Sequence, residues 1–324
     1  MFKKKTLPIL AVFAIIVLLV TSTAVFADNS QKWFGDESAA TPHEKADFFD
    51  IKNSSIEPYN QESNIKDYYF KLTEEQAKSR YEILKQNPDI SEGDLLLKVA
   101  PDAVNALPAE FINRLRNADA NINSSSDEPV TYLRSVLGPF KAGWSGTRKV
   151  TNDEDGNISF GPLNIKESEK SERMQLDRGG PVHVSAEIIV STFLYIPPNT
   201  TIGYELGNLL TDGWWSWDSS KVTSISGRDT TPWTNTMWCW FVHSGPILFQ
   251  GPCITPADYC YWYGNFDYKK TENCQQGGVI SHTGGVESGI YVFPDGEWYC
   301  WYDNWGGPPG KQLEYRPASG WYQE

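Results

Sequence analysis

The chain has 324 residues, with 28 Lys and Arg against 41 Asp and Glu, and it carries a net charge of -13 at pH 7. Its aromatic content of 14% is too high for a disordered or collagen-like chain, and its length allows two packed domains. A surface that binds nucleic acid needs a basic patch, and the sequence shows none. The composition therefore argues against DNA and RNA as partners.

The N-terminus has the pattern of a secretory signal peptide. A basic start at residues 3–5 precedes an apolar run over residues 7–20, and small residues at Val25 and Ala27 predict cleavage after Ala27. The competing interpretation, an uncleaved membrane anchor, needs about 20 apolar residues, which is more than this run provides. We therefore predict a secreted or extracellular-surface protein whose mature chain does not span a membrane.

Composition divides the rest of the chain into four parts. Residues 28–70 are polar and acidic and predict an extended arm, and residues 71–120 predict a small helical region. Residues 121–129 are rich in Ser, Asn and Asp and predict a linker. Residues 130–324 then form an aromatic-rich domain that contains all the cysteines.

The helical region contains three helix starts. Thr73 followed by Gln76 is a capping-box signature, and it predicts a helix that ends near Gln86. Ser91 offers a second start, and Pro108 a third. The apolar residues of this region are interpreted as its own core, because no catalytic constellation accompanies them.

The C-terminal domain has the pattern of many short strands separated by turn residues. Residues 152–157 predict a hairpin turn, and residues 182–195 predict one long strand or two consecutive strands. The sequence therefore predicts a mostly β protein, with a C-terminal antiparallel β-sandwich or jelly roll preceded by a small helical N-terminal region.

The cysteines predict disulfides rather than a metal site. In an oxidising compartment, five cysteines favour two disulfides with one thiol left free or used between chains, and the sequence does not select the pairing. No Cys-x-x-Cys pair occurs and the four His residues are scattered, so neither a metal nor a cofactor is predicted. The candidates are Cys239, Cys253, Cys260, Cys274 and Cys300. Candidate glycosylation sites, from Asn-x-Ser/Thr triplets, are Asn53, Asn123, Asn157 and Asn199.

Three predicted strands carry a cysteine and aromatic residues on both faces. Alternate side chains of a strand point to opposite faces. Trp238 and Trp240 are therefore expected to share a face of the first strand, and Cys260 and Trp262 to share a face of the second. One face of each strand can then form a disulfide-stabilised core, while the other packs on a second layer or contacts a ligand. The strands are residues 238–241, 259–263 and 298–302.

Eleven of the 13 Trp residues fall between Trp214 and Trp321, which is more than one core of this size readily hides, so some are expected at the surface. Flat rings beside Asp and Asn suit a sugar, whose C–H face stacks on the ring while its hydroxyls need fixed polar partners. The same surface would suit a protein interface. The predicted ligand-binding residues are Trp214, Trp215, Trp217, Asp218, Trp301, Asp303, Asn304 and Trp305.

One segment resembles a known class of domain. It reads Val292-Phe293-Pro294-Asp295-Gly296-Glu297-Trp298-Tyr299, continues through Asp303-Asn304 and ends at Lys311-Gln312-Leu313-Glu314-Tyr315. Over residues 292–315 it resembles the closing strands of secreted β-sandwich accessory domains, the GOLD-like and bacterial pre-peptidase C-terminal classes. The resemblance implies a β-sandwich and a role in binding or stabilisation rather than catalysis.

The sequence lacks the usual motifs of nucleophilic and metal-dependent enzymes. There is no Gly-x-Ser-x-Gly elbow, no His-Glu-x-x-His motif and no phosphate-binding loop, so no catalytic residue is assigned. A glycosidase needs only two carboxylates that are close in space, and it stays a hypothesis. Carboxylates among aromatic residues are Asp212, Asp218, Asp258, Asp267, Glu287, Asp295, Glu297 and Asp303.

The leading hypothesis from the sequence is a secreted non-catalytic protein that binds a glycan or a cell-envelope polymer through exposed aromatic residues. The alternative is an extracellular assembly component that binds another secreted protein. A secreted glycoside hydrolase and a membrane-active toxin are further alternatives.

Overall fold

The computed structural model describes residues 65–87, 90–105, 132–153, 157–167, 178–196, 200–251 and 253–321. These residues belong to one compact unit, Glu44–Glu324. The predicted signal peptide, most of the predicted arm, the helix expected at Pro108 and the linker lie outside the described residues. So do three glycosylation candidates: Asn53, Asn123 and Asn199.

Within these ranges the chain forms thirteen strands. They are β1 (Lys66–Leu72), β2 (Tyr132–Lys141), β3 (Trp144–Asn152), β4 (Ile158–Phe160), β5 (Asn164–Glu167), β6 (Arg178–Ile196), β7 (Thr200–Asp218), β8 (Lys221–Thr234), β9 (Trp240–Gln250), β10 (Cys260–Thr271), β11 (Ile280–Val292), β12 (Glu297–Gly306) and β13 (Gln312–Trp321). Three helices lie between β1 and β2: α1 (Glu74–Gln86), α2 (Glu92–Val99) and α3 (Pro101–Asn105).

The strands form two antiparallel sheets that pack as a sandwich. The six-stranded sheet has the order β1-β2-β12-β11-β10-β9, and the seven-stranded sheet contains β4-β3-β13-β6-β7-β8, with β5 paired to β3. Apolar side chains from both sheets form one core cluster, which includes Ile188, Trp215, Trp262 and Trp298. The predicted mostly β fold with an antiparallel sandwich is therefore confirmed.

Period-two alternation decides which side chains enter this core. Cys260 and Trp262 of β10 point between the sheets, while Tyr261 and Tyr263 belong to a second cluster on the outer face of the six-stranded sheet. In β12, Cys300 packs in the core and Trp301 lies on the outer face. The alternation predicted for these two strands is confirmed.

The alternation predicted for residues 238–241 is wrong at its first two positions. Thr236–Trp238 is a short 3-10 helix, and Cys239 adopts a left-handed conformation with φ 68°, so the strand begins only at Trp240. A left-handed residue breaks the extended path, and Trp238 therefore does not share a strand face with Trp240.

The first two helices begin where their caps predict. The Thr73 side chain accepts from the Gln76 backbone N–H at 3.2 Å, and the Gln76 side chain returns the bond to the Thr73 N–H at 3.0 Å. Ser91 likewise caps α2 by accepting from the Asp94 N–H at 3.1 Å. The short helix α3 was not anticipated.

Residues of the predicted arm also contribute to the sandwich. Residues 66–70, expected to be extended and loosely packed, belong to edge strand β1, which pairs with β2. Phe70 and Leu72 of this strand are buried and pack with Leu96 of α2 on the outer face of the six-stranded sheet. The helical region thus covers part of that face.

The predicted hairpin turn and the predicted long strand are both confirmed. β3 pairs with β4 across the expected turn, where the Asp153 carboxylate accepts from the Asn157 backbone N–H at 2.7 Å. The run from residue 182 to 195 lies within a single strand, β6, which pairs with β7 along its length.

The cysteines form two disulfides, Cys239–Cys274 and Cys253–Cys260, as the count predicts. The fifth, Cys300, is a buried free thiol in the core, and burial raises its pKa. A fully buried sulfur cannot reach a cysteine of another chain while this fold is intact. Of the two roles considered for the odd cysteine, the structure shows the free thiol.

No helix among the described residues is long and apolar enough to cross a membrane.

Candidate functional site

Most of the predicted ligand-binding residues are buried, so the expectation that they are exposed is wrong. Trp215 and Trp217 stack on each other in the core with ring centroids 4.9 Å apart. Trp301 and Trp305 lie on the outer face of the six-stranded sheet, each 3% exposed. Whether any of them binds a ligand stays a prediction, but these four rings are not a surface platform in this structure.

Glycines of β11 explain how the large rings are hidden. Gly285 lies opposite Trp305 and Gly289 opposite Trp301 in the antiparallel register. A methyl group added at either glycine would lie within 2.2 Å of the facing indole. The missing side chains therefore leave room for each indole to lie flat across its neighbouring strand.

Asp303 belongs to a buried ion network, which we define as Arg134, Asp303 and Glu287 with their donors Tyr132 and Trp301. The Arg134 guanidinium donates to Asp303 at 2.7 Å and to Glu287 at 3.2 Å. The Tyr132 hydroxyl donates to Asp303 at 2.6 Å, and the Trp301 indole donates to Glu287 at 2.8 Å. All five side chains are at most 3% exposed.

The register of the strands places this network in one row. Arg134 faces Asp303 across β2 and β12, and Asp303 faces Glu287 across β12 and β11. Next to it, Asp267 accepts from the Trp305 indole at 3.1 Å and from the Ser244 hydroxyl at 2.5 Å. These carboxylates, which the sequence offered as glycosidase candidates, are hydrogen-bonded inside the fold.

The remaining predicted residues have different surroundings. Asn304 is buried and lines a small cavity together with Lys311. Asp218 accepts from the backbone N–H groups of Ser220 and Lys221 at 3.2 and 3.0 Å, which is the behaviour of a turn former. Trp214 alone among the five predicted tryptophans is only half-buried, and it lies on the outer face of the seven-stranded sheet.

That outer face carries the accessible polar side chains best placed to bind a ligand. Inward-facing residues of β6, β7 and β13 fill the core, so the intervening residues point outward. We define the polar face as His183, Glu187, Glu205, Asn208, Asp212, Trp214, Trp233, Glu314 and Arg316.

Arg316 and Asn208 organise the centre of the polar face. The Arg316 guanidinium contacts Glu314 at 2.6 Å and Glu187 at 3.6 Å. The Asn208 amide donates to Glu187 at 3.2 Å. Arg316 is the residue opposite Glu187 in the register, so the sheet itself brings these charges together.

Two carboxyl groups of the polar face, Glu187 and Glu205, have raised pKa values. Burial, and then repulsion from Glu187, raise the pKa of Glu205 to about 7. Burial also raises the pKa of Glu187, although Arg316 opposes the shift. Glu205 is therefore close to half-protonated at neutral pH, when it can either donate or accept a hydrogen bond.

Two tryptophans lie at opposite ends of the polar face. Trp233 of β8 is 45% exposed and stands opposite Asn208 in the register. Trp214 packs beside His183, which in turn contacts Asp212 at 3.0 Å. Trp214 lies six positions after Asn208 on β7, so Trp214 and Trp233 are about 20 Å apart along the strand direction.

Sequence reasoning missed most of this site. Glu187 and Asn208 lie in strand patterns without neighbouring aromatic residues, Arg316 follows the single ring of Tyr315, and Trp233 follows a proline. These four residues occupy outward-facing positions on four strands, and they can be recognised as one site only when the strand order is known.

Within the described part of the chain, no group of three or more His, Cys, Asp or Glu side chains could hold a metal ion.

No protein-family model, no curated protein and no solved structure matches the chain. The resemblance of residues 292–315 to accessory domains stays a prediction.

Proposed function

We propose that the protein is a secreted, non-catalytic binding protein that holds a glycan or a cell-envelope polymer on its polar face. The observation that carries the proposal is the pair Trp214 and Trp233, which lie on one sheet face with Asn208, Glu187 and Arg316 between them.

The chemistry of the polar face suits a sugar chain. The exposed Trp233 ring offers a flat surface for the C–H face of a sugar. Glu187 and Arg316 are held by each other, and Asn208 by Glu187, so their donors and acceptors are pre-oriented toward hydroxyl groups. The separation of the two rings suits a polymer of several sugar units better than a single sugar.

Secretion is part of the proposal. Two disulfides are typical of proteins that mature in an oxidising compartment. The N-terminal sequence also supports secretion. It has the basic start, the apolar run and the small residues before Asp28 that are typical of a signal peptide.

Trp233→Ala is expected to weaken retention on the polymer by roughly tenfold or more, because the exposed ring supplies most of the stacking area. The measurement is a pull-down on insoluble polysaccharides and peptidoglycan, followed by titration with soluble fragments of the retaining polymer. Trp214→Ala should weaken the binding of long fragments more than the binding of short ones, since only a long fragment spans both rings.

Met237→Ala serves as the matched control, because Met237 is 69% exposed but is not part of the polar face. It should leave retention unchanged. Equal retention of the Trp233→Ala variant and the unmodified protein on every polymer would contradict the proposal.

A second candidate function is glycoside hydrolysis by Glu187 and Glu205. Glu187 accepts from the Asn208 amide, and Glu205 is near enough to Glu187 that repulsion between the two carboxyls contributes to the raised pKa of Glu205. A retaining glycosidase needs two carboxyls separated by about 5–5.5 Å, one of them protonated near neutral pH. The raised pKa of Glu205 fits the acid, and Glu187 with its Arg316 partner fits the nucleophile.

Glu205→Gln separates binding from hydrolysis. If the protein is a hydrolase, the substitution is expected to lower the release of reducing ends by about 100-fold or more while polymer retention persists. The pKa of Glu205 is raised from 4.5 to about 7, so ionisation of this carboxyl lowers the stability of the folded protein as pH rises through that range. Glutamine does not ionise, and the variant should therefore be no less stable than the unmodified protein at pH 8. If the unmodified protein releases no reducing ends from the polymer on which it is retained, hydrolysis is contradicted and only the binding function remains.

A further inference from the structure

The polar face carries four carboxyl groups and a single guanidinium, that of Arg316. The carboxyl groups belong to Glu187, Glu205, Asp212 and Glu314. Three of them lie around Arg316. Glu314 contacts its Nε at 2.6 Å, and Glu187 contacts its Nη1 at 3.6 Å. Glu205 is near enough to interact electrostatically with the same guanidinium.

The protein's own carboxylates occupy the Arg316 guanidinium. Arg316 lies opposite Glu187 in the register of β13 and β6, and Glu314 precedes it by two residues, so all three side chains point outward from the sheet. A guanidinium is the group that proteins commonly use to bind a carboxylate, through two parallel hydrogen bonds. A carboxylate on a ligand would therefore compete with Glu314 and Glu187 for Arg316.

The group of carboxyls around Arg316 holds an excess of negative charge. Burial, and after it repulsion from Glu187, raise the pKa of Glu205 to about 7, while Arg316 opposes the shift. Repulsion from Glu314 adds to it. One guanidinium thus does not neutralise the three carboxyl groups around it, and a further negative charge on a ligand would add to the repulsion.

Neighbouring side chains in the register do not reverse this excess. Lys149 of β3 lies opposite Glu314, but it is exposed, and the two form no ion pair among the described residues. Asp229 of β8 lies opposite Asp212 and contributes another carboxylate at the far end of the face. The charges that the register brings together around the polar face are therefore mostly negative.

We propose that the polar face selects an uncharged polysaccharide and excludes acidic ones, and that Glu314 sets this selectivity by occupying Arg316. The inference rests on the proposed glycan-binding function and adds the charge class of the ligand. The exposed ring of Trp233 suits a neutral sugar, because stacking on the ring needs no charge. A ligand carboxylate would have to displace Glu314 from Arg316 and remain beside Glu187, and such repulsion between like charges gives an interface specificity.

The test compares polysaccharide fragments that differ in charge. Fragments of the polymer retained in the pull-down are carboxymethylated, and part of the sample is converted to the methyl ester, which is similar in size but uncharged. By calorimetry, the unmodified protein is expected to bind the esters roughly tenfold or more tightly than the free acids at about 0.05 M salt. This ratio should fall as the salt concentration rises to about 0.5 M, because salt screens the repulsion between accessible charges.

Glu314→Gln is expected to lower the ratio of ester to acid affinity by roughly fivefold or more, because it removes a negative charge and releases the Arg316 guanidinium for a ligand carboxylate. Glu272→Gln is the matched control. It makes the same change on an exposed side chain in the β10–β11 connection of the other sheet, and it should leave the ratio unchanged. The Glu314 side chain is 22% exposed and glutamine has nearly its shape, so this variant should stay folded, which its melting temperature checks.

Equal binding of esters and acids by the unmodified protein would overturn the proposal, whether or not the Glu314→Gln variant folds. Tighter retention on an acidic polysaccharide than on neutral ones would also overturn it, as would equal changes of the ratio in Glu314→Gln and Glu272→Gln. These outcomes contradict the charge selectivity alone. Retention on no polysaccharide would contradict the glycan-binding function together with the selectivity that rests on it, so the two failures can be told apart.

Discussion

Arg134→Met is expected to lower the free energy of unfolding by about 3–5 kcal/mol, because it removes the cation that Asp303 and Glu287 share inside the fold. Both carboxylates are at most 3% exposed, so water cannot replace the guanidinium without disrupting the outer face of the six-stranded sheet. The Tyr132 and Trp301 donors remain, but they cannot compensate two buried negative charges. Urea denaturation at pH 7 measures the change.

The control for Arg134→Met is Lys221→Met at an exposed ion pair. Lys221 contacts Asp258, whose side chain is 79% exposed. Surface pairs of this kind contribute about 0–1 kcal/mol, so this variant should be nearly as stable as the unmodified protein. Similar losses for the two variants would show that the buried ion network does not stabilise the fold more than a surface pair does.

Lys311→Met is expected to raise the free energy of unfolding by up to about 4 kcal/mol at pH 7 and below. The Lys311 side chain is 3% exposed, and its ammonium group donates to the Gly306 carbonyl. Burial lowers the pKa of Lys311 from 10.5 to about 7. Methionine fills the same space without the charge, at the loss of one hydrogen bond.

The pH dependence of Lys311 gives the sharper readout. Between about pH 7 and 10.5 the unfolded chain binds a proton that the folded protein does not, so stability rises with pH across this window. Below about pH 7 both states are protonated, and the cost of the buried charge is constant. Lys311→Met should remove the rise between pH 7 and 10, whereas Lys149→Met on an exposed side chain should keep it. A rise that survives in Lys311→Met would contradict this assignment.

Local patterns in the sequence predicted the elements well where neighbouring residues determine them. The cap at Thr73, the turn between Asn152 and Asn157, and the alternation of Cys260 and Trp262 all depend on contacts within a few residues. Cys239 shows the limit, because its left-handed conformation interrupts an apparent strand that composition alone supports.

Exposure was the property that local patterns predicted worst. Trp301 and Trp305 stand among turn residues, which are typical of surfaces, yet both are buried. The space that accommodates them is provided by Gly285 and Gly289 on another strand. Such a fit depends on register between distant segments, and no local signal contains it.

The sequence by itself determined that this is a mostly β protein with two disulfides, because strand alternation, turn residues and cysteine count are local or compositional properties. Only the tertiary structure decided which aromatic residues are accessible and which charged residues meet. Strand order brings Glu187 beside Arg316, and it brings Arg134 beside Asp303. These pairings join residues that are far apart in the chain, and they exist only once the sheets have formed.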